Sequence, residues 1–396
     1  MSTTDTTTAT SAESETVDEF RRRFREFLEH HNPGPRPRGA DARLAWNRRW
    51  YAILDDSGFS GPGWPRSVGG MELPFEKQVV HAEEAARARI PRAPGTGQHI
   101  AAPTIIRHGT DAQRRRWLRP MLRADEIWAQ GWSEPEAGSD LPALRTTARR
   151  DGDEYVLSGQ KLWSSAADIA DWLYCLVRTG PPGSRQAGIT YLVVERATPG
   201  VSVRPIRDIT GGADFCEIFF DDALVPVENR IGEENSGWAI ARTSMGHERA
   251  ALALTQANFY RRILDELLEL ARERGAATDA VMRQRLAEAE TLVRIMLVSG
   301  ARTIAHIAEH DEPGPTSSIS RLFNTQTEQI LHELAVDLIG PQATLAPKDQ
   351  HAVQRGRWTW GFLRTRGSTI GAGTAEIQRN TIAEKVLGLP RDPAMV

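Results

Sequence analysis

Hydrophobic positions recur along this chain with two different periods, and the change of period divides the chain into three regions. In the first region helical spacing predicts amphipathic helices over 17–30, 44–54, 74–89 and 111–122. From about residue 127 the apolar runs become short and glycines separate them. These runs predict strands at 155–157, 172–177, 189–194, 201–206 and 216–220.

Helical spacing returns at Gly237 and persists almost to the C-terminus. The predicted helices cover 238–274, 279–311, 317–338, 350–362 and 374–387. Long helices with an apolar stripe and short connections are typical of an antiparallel bundle. We therefore predict an α+β multidomain protein, with a helical domain over 17–126, a β domain over 127–234 and a helical bundle over 235–396.

The first sixteen residues are rich in Ser, Thr and Ala and contain no apolar core. This composition excludes a signal peptide and predicts a disordered leader over 1–16. No apolar run in the sequence looks long enough to span a bilayer, so we expect no membrane span. Cys175 and Cys216 are the two cysteines, and both lie in apolar runs. Two such cysteines cannot make a disulfide framework or a zinc site alone, and we expect a cytoplasmic protein without a metal.

Charge argues against a nucleic-acid partner. The chain has 49 Lys and Arg against 52 Asp and Glu, a formal net charge of −3, so it presents no general field for phosphates. A Rossmann-type cofactor site is also disfavoured, because no strand leads through a G-x-G-x-x-G turn into a helix.

The segment 132–178 carries the most chemistry. Gly138, Ser139 and Asp140 form a polar turn, and Trp163 and Ser165 follow at the end of an apolar run. Backbone N–H groups and short hydroxyls allow such a turn to approach a cofactor closely. The alternative is an ordinary polar turn followed by a buried core tryptophan, which is the commoner fate of that residue.

A series of such landmarks, in order over 20–390, resembles the acyl-CoA dehydrogenases, and the actinobacterial members look closest. Each short piece is weak by itself, whereas the ordered set is specific. The pieces are GPGWPRSVGG, SEPEAGSD, GQKLWSS, VRPIRDITGG, FFDDALVPVENRIGEENSGW, ERA, DLIGP and GAGTAEIQRNTIAEKVLGLP.

The resemblance implies an N-terminal helical domain, a β-barrel-like middle domain, a C-terminal four-helix bundle, and FAD as cofactor. Ser133 and Ser139 would contact the flavin or the CoA moiety, with Gly138 in the same turn. Trp163 would pack on the flavin, and the Ser165 hydroxyl would donate a hydrogen bond to flavin N5. Such a donor stabilises the charge that develops when N5 receives a hydride.

A catalytic carboxylate is the next requirement, because removal of the α-proton of a thioester needs a base in an apolar pocket. Many family members carry this Glu in a C-terminal turn, where this chain has Ala372. Isovaleryl- and long-chain-type members carry it on the helix after the β domain, and Glu248 matches that position. The alternative for Glu248 is a helix-surface residue paired with an Arg, and His247 is a second candidate base.

Ala372 retains a backbone N–H, which in the family helps to polarise the thioester carbonyl. Its flanking glycines leave room for a bulky or branched acyl group. Thr374 would also reach the flavin, and Arg274 matches an Arg that holds the FAD of a neighbouring subunit.

Two departures from the family pattern concern the part of the FAD site shared between subunits. Ala276 and Ala277 replace a polar residue and a Phe, and Asp337 replaces a Gln. An Asp near a pyrophosphate is unfavourable unless donors surround it. These changes are compatible with a homo- or hetero-oligomer in which related subunits share sites.

We therefore expect an FAD-dependent dehydrogenase that converts an acyl-CoA, or a carrier-protein thioester, to the trans-2-enoyl thioester. An electron-transfer flavoprotein would reoxidise the flavin. Two alternatives keep this fold: a flavin-dependent oxidase or N-hydroxylase, and a half-site subunit of a heteromeric acyl-CoA dehydrogenase.

Overall fold

A computed structural model describes residues 15–37, 39–310, 314–346 and 349–391, and within them it leaves the side chains of 247–258 undescribed. The chain forms two compact units, Met1–Trp128 and Ala129–Val396. Most of the predicted leader lies outside the described residues. Thr16, its last residue, is the N-cap of the first helix, and its hydroxyl accepts a hydrogen bond from the Glu19 N–H at 3.3 Å.

The first unit is helical. Its helices are α1 (Val17–His31), α2 (Ala40–Asp56), α3 (Phe75–Arg87), α4 (Ala102–His108) and α5 (Asp111–Leu122). Helical spacing places four apolar residues of α1 on one face, where they meet residues of the following segments. This core contains Phe20, Phe24, Phe27, Leu28, Trp50, Leu54, Phe59 and Val80. The short helix α4 was not predicted from the sequence.

A sheet of eight strands begins at Trp128, and all of its other residues belong to the second unit. The strands are β1 (Trp128–Gly131), β2 (Thr147–Asp151), β3 (Glu154–Ser165), β4 (Trp172–Arg178), β5 (Ile189–Glu195), β6 (Val201–Ile206), β7 (Phe215–Pro226) and β8 (Arg230–Ile231). Their order is β6-β7-β3-β2-β4-β5-β8, and β1 pairs with β4. The central position of β3 matters most, because this strand carries Trp163 and Ser165.

The strand β3 is much longer than the predicted run at 155–157, and Gly159 explains the difference. The sequence suggested that this glycine ends the strand, but it lies at a register shift between β3 and β7, with φ of 145°. A Cβ added there would lie 2.7 Å from the Thr146 Cα. Glycine therefore allows β3 to pass close to the start of β2 and continue.

The rest of the second unit is helical, with α6 (Gly237–Glu273), α7 (Ala280–His310), α8 (Ser317–Ile339), α9 (Arg357–Thr365) and α10 (Ala375–Thr381). Four of these helices share one apolar core. It includes Leu264 and Leu267 from α6, Ala289 and Val293 from α7, Leu331 and Ala335 from α8, and Trp358 from α9. This arrangement confirms the predicted α+β class.

One helix bears on the expectation of no membrane span. By length and composition alone, α7 is apolar enough to cross a membrane, and 28% of its most apolar window is buried. The same test is passed by core helices, and α7 contributes Leu286, Val293 and Met296 to the bundle core. A single helix of this kind is weak evidence for a membrane span.

Candidate active site

A bulge near the end of β3 presents Trp163. Lys161 pairs with Ile218 and Ser164 pairs with Cys216, so two residues of β3 stand opposite one residue of β7. Trp163 has φ of 62°, a conformation that is rare for a bulky residue. Its side chain is 56% exposed, which overturns the alternative of a buried core tryptophan. The bulge therefore displays a large aromatic surface instead of burying it.

The residues beside this tryptophan differ in their surroundings. Ser165 pairs with Phe215 at the end of β3 and is half-buried. The hydroxyl of Ser164 is buried, and no described group forms a hydrogen bond with it. The ring of Trp163 meets the ring of Phe215 edge-on at a centroid distance of 6.0 Å.

The polar turn that follows β1 lies directly against this bulge. The Ser133 carbonyl accepts a hydrogen bond from the Leu162 N–H at 2.8 Å, one residue before Trp163. Gly138 and Ser139 are exposed at the far side of the turn, and a Cβ added to Gly138 would meet only open space. The structure thus brings Ser133 next to the Trp163 segment and leaves the turn accessible.

A buried ion pair holds this turn, and the sequence reasoning missed it. The Lys161 side chain is fully buried and donates to Glu134 Oε1 at 2.7 Å. It also donates to the carbonyls of Trp132 at 3.1 Å and Leu176 at 2.6 Å. Each of the three ammonium protons therefore has an acceptor, and the side chain ties the turn to β3 and β4.

The Glu134 carboxylate is equally well satisfied. It accepts hydrogen bonds from the backbone N–H groups of Arg145 at 2.6 Å and Thr146 at 2.9 Å. Burial alone would raise the pKa of Glu134, but the Lys161 charge and these donors hold that pKa below its usual value. Burial lowers the pKa of Lys161, and the Glu134 charge opposes that change. The buried Glu134–Lys161 pair therefore fixes the turn to the strands that it packs against.

The bulge also contacts the helical part of the second unit. The guanidinium of Arg364, near the end of α9, lies 5.2 Å from the centre of the Phe215 ring, which also meets the Trp163 ring. Arg364 comes eight residues before Ala372 in the sequence. A short chain of ring contacts thus connects the bulge with the segment that leads to the predicted thioester-binding turn.

That turn has an unusual backbone. Ala372 has φ of 53° and Gly373 has φ of 90°. The left-handed region is costly for alanine, so the surrounding hydrogen bonds must hold it there. Thr374 is the N-cap of α10, and its hydroxyl accepts a hydrogen bond from the Ile377 N–H at 3.3 Å. The helix cap therefore fixes where the turn ends.

The residues predicted to hold a neighbouring subunit's FAD lie in the helical bundle. Arg274 is exposed just after α6 and donates to Gln342 Oε1 at 2.8 Å. Asp337 is paired with Arg285 at 2.6 Å. The carboxylate that looked unfavourable near a pyrophosphate therefore has a cation beside it.

Glu248, the predicted base, lies in α6. Its side chain and that of His247 are outside the described residues, so their roles remain predictions. Within the described part of the chain, no cluster of His, Cys, Asp and Glu could hold a metal ion.

Family models match the chain in three consecutive parts. The acyl-CoA dehydrogenase N-terminal domain matches residues 14–125, the middle domain matches 129–223, and the C-terminal domain matches 235–387.

Individual relatives match over almost the whole chain. Acyl-CoA dehydrogenase IpdE1 of Mycobacterium tuberculosis is 39% identical, over 95% of this chain and 98% of the relative. Among solved structures, the ChsE4-ChsE5 complex from Mycobacterium tuberculosis gives a TM-score of 0.82 at 32% identity, over 96% of this chain and 99% of the other. The Tcur3481-Tcur3483 steroid ACAD gives a TM-score of 0.83 at 27% identity, over 95% of this chain and 98% of the other.

Proposed function

The chain belongs to the acyl-CoA dehydrogenase family of enzymes, and from this premise we propose the reaction and the roles of its residues. The protein oxidises an acyl-CoA thioester to the trans-2-enoyl-CoA, with FAD as cofactor and an electron-transfer flavoprotein as acceptor. The observation that carries the FAD assignment is the exposed Trp163 in its left-handed bulge. An aromatic surface held away from the core at an energetic cost calls for a planar partner.

The residues around that bulge fit a flavin. Trp163 would pack against the ring system, and the Ser165 hydroxyl would donate a hydrogen bond to N5. Ser133, Gly138 and Ser139 would line the turn along the cofactor, with Thr374 contributing from the start of α10 and Arg274 facing a neighbouring subunit's site. When bound, FAD supplies the oxidant that accepts the substrate's β-hydride.

Two groups of the chain act on the thioester itself. Glu248 takes the α-proton, and the Ala372 N–H donates a hydrogen bond to the thioester carbonyl. That donor stabilises the negative charge that develops on oxygen as the proton leaves. Proton removal and carbonyl polarisation thus come from α6 and from the turn before α10, while Trp163 and Ser165 orient the oxidant.

The acyl group belongs to the bulky lipid class, steroid-derived acids included. Three small residues, Gly371, Ala372 and Gly373, form the turn that meets the carbonyl, so no large side chain there limits the substituents near the reacting carbons. The naming of one structural relative as a steroid ACAD supports the same class.

Anaerobic titration tests this proposal. The purified protein should be yellow, and its flavin should bleach with at least one member of a panel of butyryl-, octanoyl-, isovaleryl- and cholanoyl-CoA. We expect the largest rate with cholanoyl-CoA. A yellow protein that none of the four thioesters bleaches would contradict the reaction assignment.

Replacing Trp163 tests the flavin contact separately. Trp163→Ala should weaken FAD binding about tenfold or more, since an aromatic pair contributes roughly 0.5–1.5 kcal/mol beyond its buried area. Trp163→Phe should lose less. Titration of the apoprotein with FAD measures the effect, and Trp360→Ala, which removes another exposed tryptophan, is the matched control. Equal affinities for Trp163→Ala and the control would refute the contact.

A second candidate is a subunit of a heteromeric acyl-CoA dehydrogenase that completes a partner's flavin site. Ala276 and Ala277 favour it, because neither side chain can offer a hydrogen bond or a ring to a cofactor. The solved ChsE4-ChsE5 complex supports the same candidate, because this structural relative is a complex of two named proteins. Protein that is colourless when expressed alone and yellow when co-expressed with a neighbouring homologue would establish this reading.

A further inference from the structure

We propose that Arg321 is a positioning residue for the thioester carbonyl. Its guanidinium fixes and polarises the peptide group whose N–H donates to that carbonyl. The inference rests on the proposed function, since it concerns the Ala372 N–H in that role. It adds a residue of α8 to a reaction assigned so far to β3, α6 and the turn before α10.

The geometry places one guanidinium nitrogen on two carbonyls of the turn. Arg321 Nη2 donates to the Gly371 carbonyl at 2.8 Å and to the Ser368 carbonyl at 3.1 Å. Arg321 is half-buried on α8, whereas the turn follows α9. The contact therefore joins two segments about fifty residues apart in sequence at the predicted carbonyl-binding site.

The Gly371 carbonyl and the Ala372 N–H belong to the same peptide group. Because this peptide is trans, its C=O and N–H point in opposite directions, and a cation on the oxygen leaves the N–H side open. A charge-assisted hydrogen bond to the oxygen draws electron density through the amide, which makes the N–H a stronger donor. Arg321 thus strengthens the Ala372 N–H donor by binding the oxygen on the opposite side of the same peptide group.

The remaining contacts of the turn also leave the Ala372 N–H available. The Gln378 amide donates to the carbonyls of Ala372 at 3.4 Å and Gly373 at 3.2 Å. Within the described part of the chain, no group accepts a hydrogen bond from the Ala372 N–H. The carbonyls on both sides of this N–H are thus engaged, while the N–H remains available to a ligand.

The left-handed conformation of Ala372 makes such support necessary. With φ of 53°, an alanine between two glycines leaves this region readily unless its neighbours are held. The Arg321 contacts hold the turn on the side that precedes Ala372, and the Gln378 contacts hold it on the side that follows. A purely structural cross-link would also hold the turn, but it would not change the strength of the Ala372 N–H as a donor. The experiment must distinguish these two roles.

The test uses Arg321→Gln, Arg321→Lys and the control Arg366→Gln in the FAD-loaded protein. Arg366 also reaches α8, through Glu333 at 2.8 Å, but forms no described contact with the carbonyls of Ser368 or Gly371. The decisive readout is the carbonyl stretch of the bound 1-13C-labelled enoyl-CoA formed from whichever panel thioester bleaches the wild-type flavin. The rate of flavin reduction and its KM are measured with the same thioester.

For Arg321→Gln we expect a higher carbonyl frequency and flavin reduction about tenfold slower, with a smaller change in KM. This is less than the 10²- to 10³-fold loss that follows removal of a whole donor, because the N–H remains. Arg321→Lys should give a carbonyl frequency and a rate of flavin reduction between those of wild type and Arg321→Gln. Arg366→Gln should leave the carbonyl frequency unchanged.

A well-folded Arg321→Gln protein with wild-type carbonyl frequency and rate would overturn the inference. So would a loss of stability with an unchanged frequency, which would make Arg321 a cross-link only. If Arg321→Gln does not fold, Arg321→Lys decides by the same criteria. Failure of the wild type to be bleached by any panel member would instead refute the proposed function, and this inference with it.

Discussion

Glu248→Gln should retain FAD and lose about 10²- to 10⁴-fold in the rate of flavin bleaching by acyl-CoA, the range attributed to a positioned general base. Glutamine matches glutamate in size and keeps a hydrogen-bonding side chain, but it has no basic oxygen to take the α-proton. Anaerobic stopped-flow absorbance with a reactive panel thioester measures the effect, and the FAD content shows whether the site is intact.

The composition of the turn at 371–373 makes this expectation strong. A carboxylate at Ala372 could serve as the base, but the methyl group there cannot accept a proton. Of the two positions that the family resemblance offers for the base, we therefore expect the one on α6. Glu273→Gln, at the exposed end of the same helix, is the matched control and should bleach at the wild-type rate.

The outcome also separates the alternatives. Unchanged bleaching in Glu248→Gln would reject the assignment, and a large loss in His247→Asn would then identify the neighbouring residue as base. A flavin-dependent oxidase or N-hydroxylase would show rapid reaction of the reduced flavin with oxygen and no requirement for Glu248.

The bundle helices were predictable because their apolar stripes are long. The predicted segments 238–274, 279–311 and 317–338 compare with Gly237–Glu273, Ala280–His310 and Ser317–Ile339 in the structure. When hydrophobic positions repeat every 3.6 residues over more than twenty residues, the pattern specifies a helix. The short helix Ala102–His108 was missed, since seven residues give too little of the pattern.

The motifs supplied candidate residues for the site but not the backbone geometry around them. Ser133 and Trp163 were both named from the motifs, and the structure brings the Ser133 carbonyl to the Leu162 N–H, next to Trp163. The bulge at Trp163 could not be predicted, because it depends on the register between β3 and β7, two strands far apart in sequence. Alternation along one strand shows which face each residue takes, but it does not show where an extra residue interrupts the pairing with a distant strand.

Lys161 was missed although a signal existed. Lysines are usually solvent-exposed, so Lys161 was not considered as a buried residue, although it lies in the GQKLWSS motif. Yet it has the same parity along β3 as Tyr155 and Leu157, which are buried. Period-two alternation therefore predicted an inward-facing lysine, and an inward charge calls for a buried partner.

Lys161→Met should lower the free energy of unfolding by about 3–5 kcal/mol, since it leaves Glu134 as a buried charge without its counter-ion. The backbone donors of Arg145 and Thr146 still contact that carboxylate, which favours the lower end of the range. Denaturant unfolding followed by circular dichroism measures the loss. Asp140→Asn, which breaks the half-exposed pair with Arg185, should cost about 1 kcal/mol or less.

The double variant Glu134→Gln/Lys161→Met shows whether charge is the cause. The Glu134→Gln substitution removes the buried negative charge, and the glutamine amide oxygen can still accept from one of the two backbone N–H groups, of Arg145 and Thr146, that contact separate carboxylate oxygens. We therefore expect the double variant to be more stable than Lys161→Met, with a coupling energy of roughly 0.5–3 kcal/mol between the two sites. A Lys161→Met protein no less stable than Asp140→Asn would contradict the assignment. If the pair fixes the turn as the geometry indicates, Lys161→Met will also bind FAD less tightly than Asp140→Asn, because Ser133 and Trp163 then lose their common support.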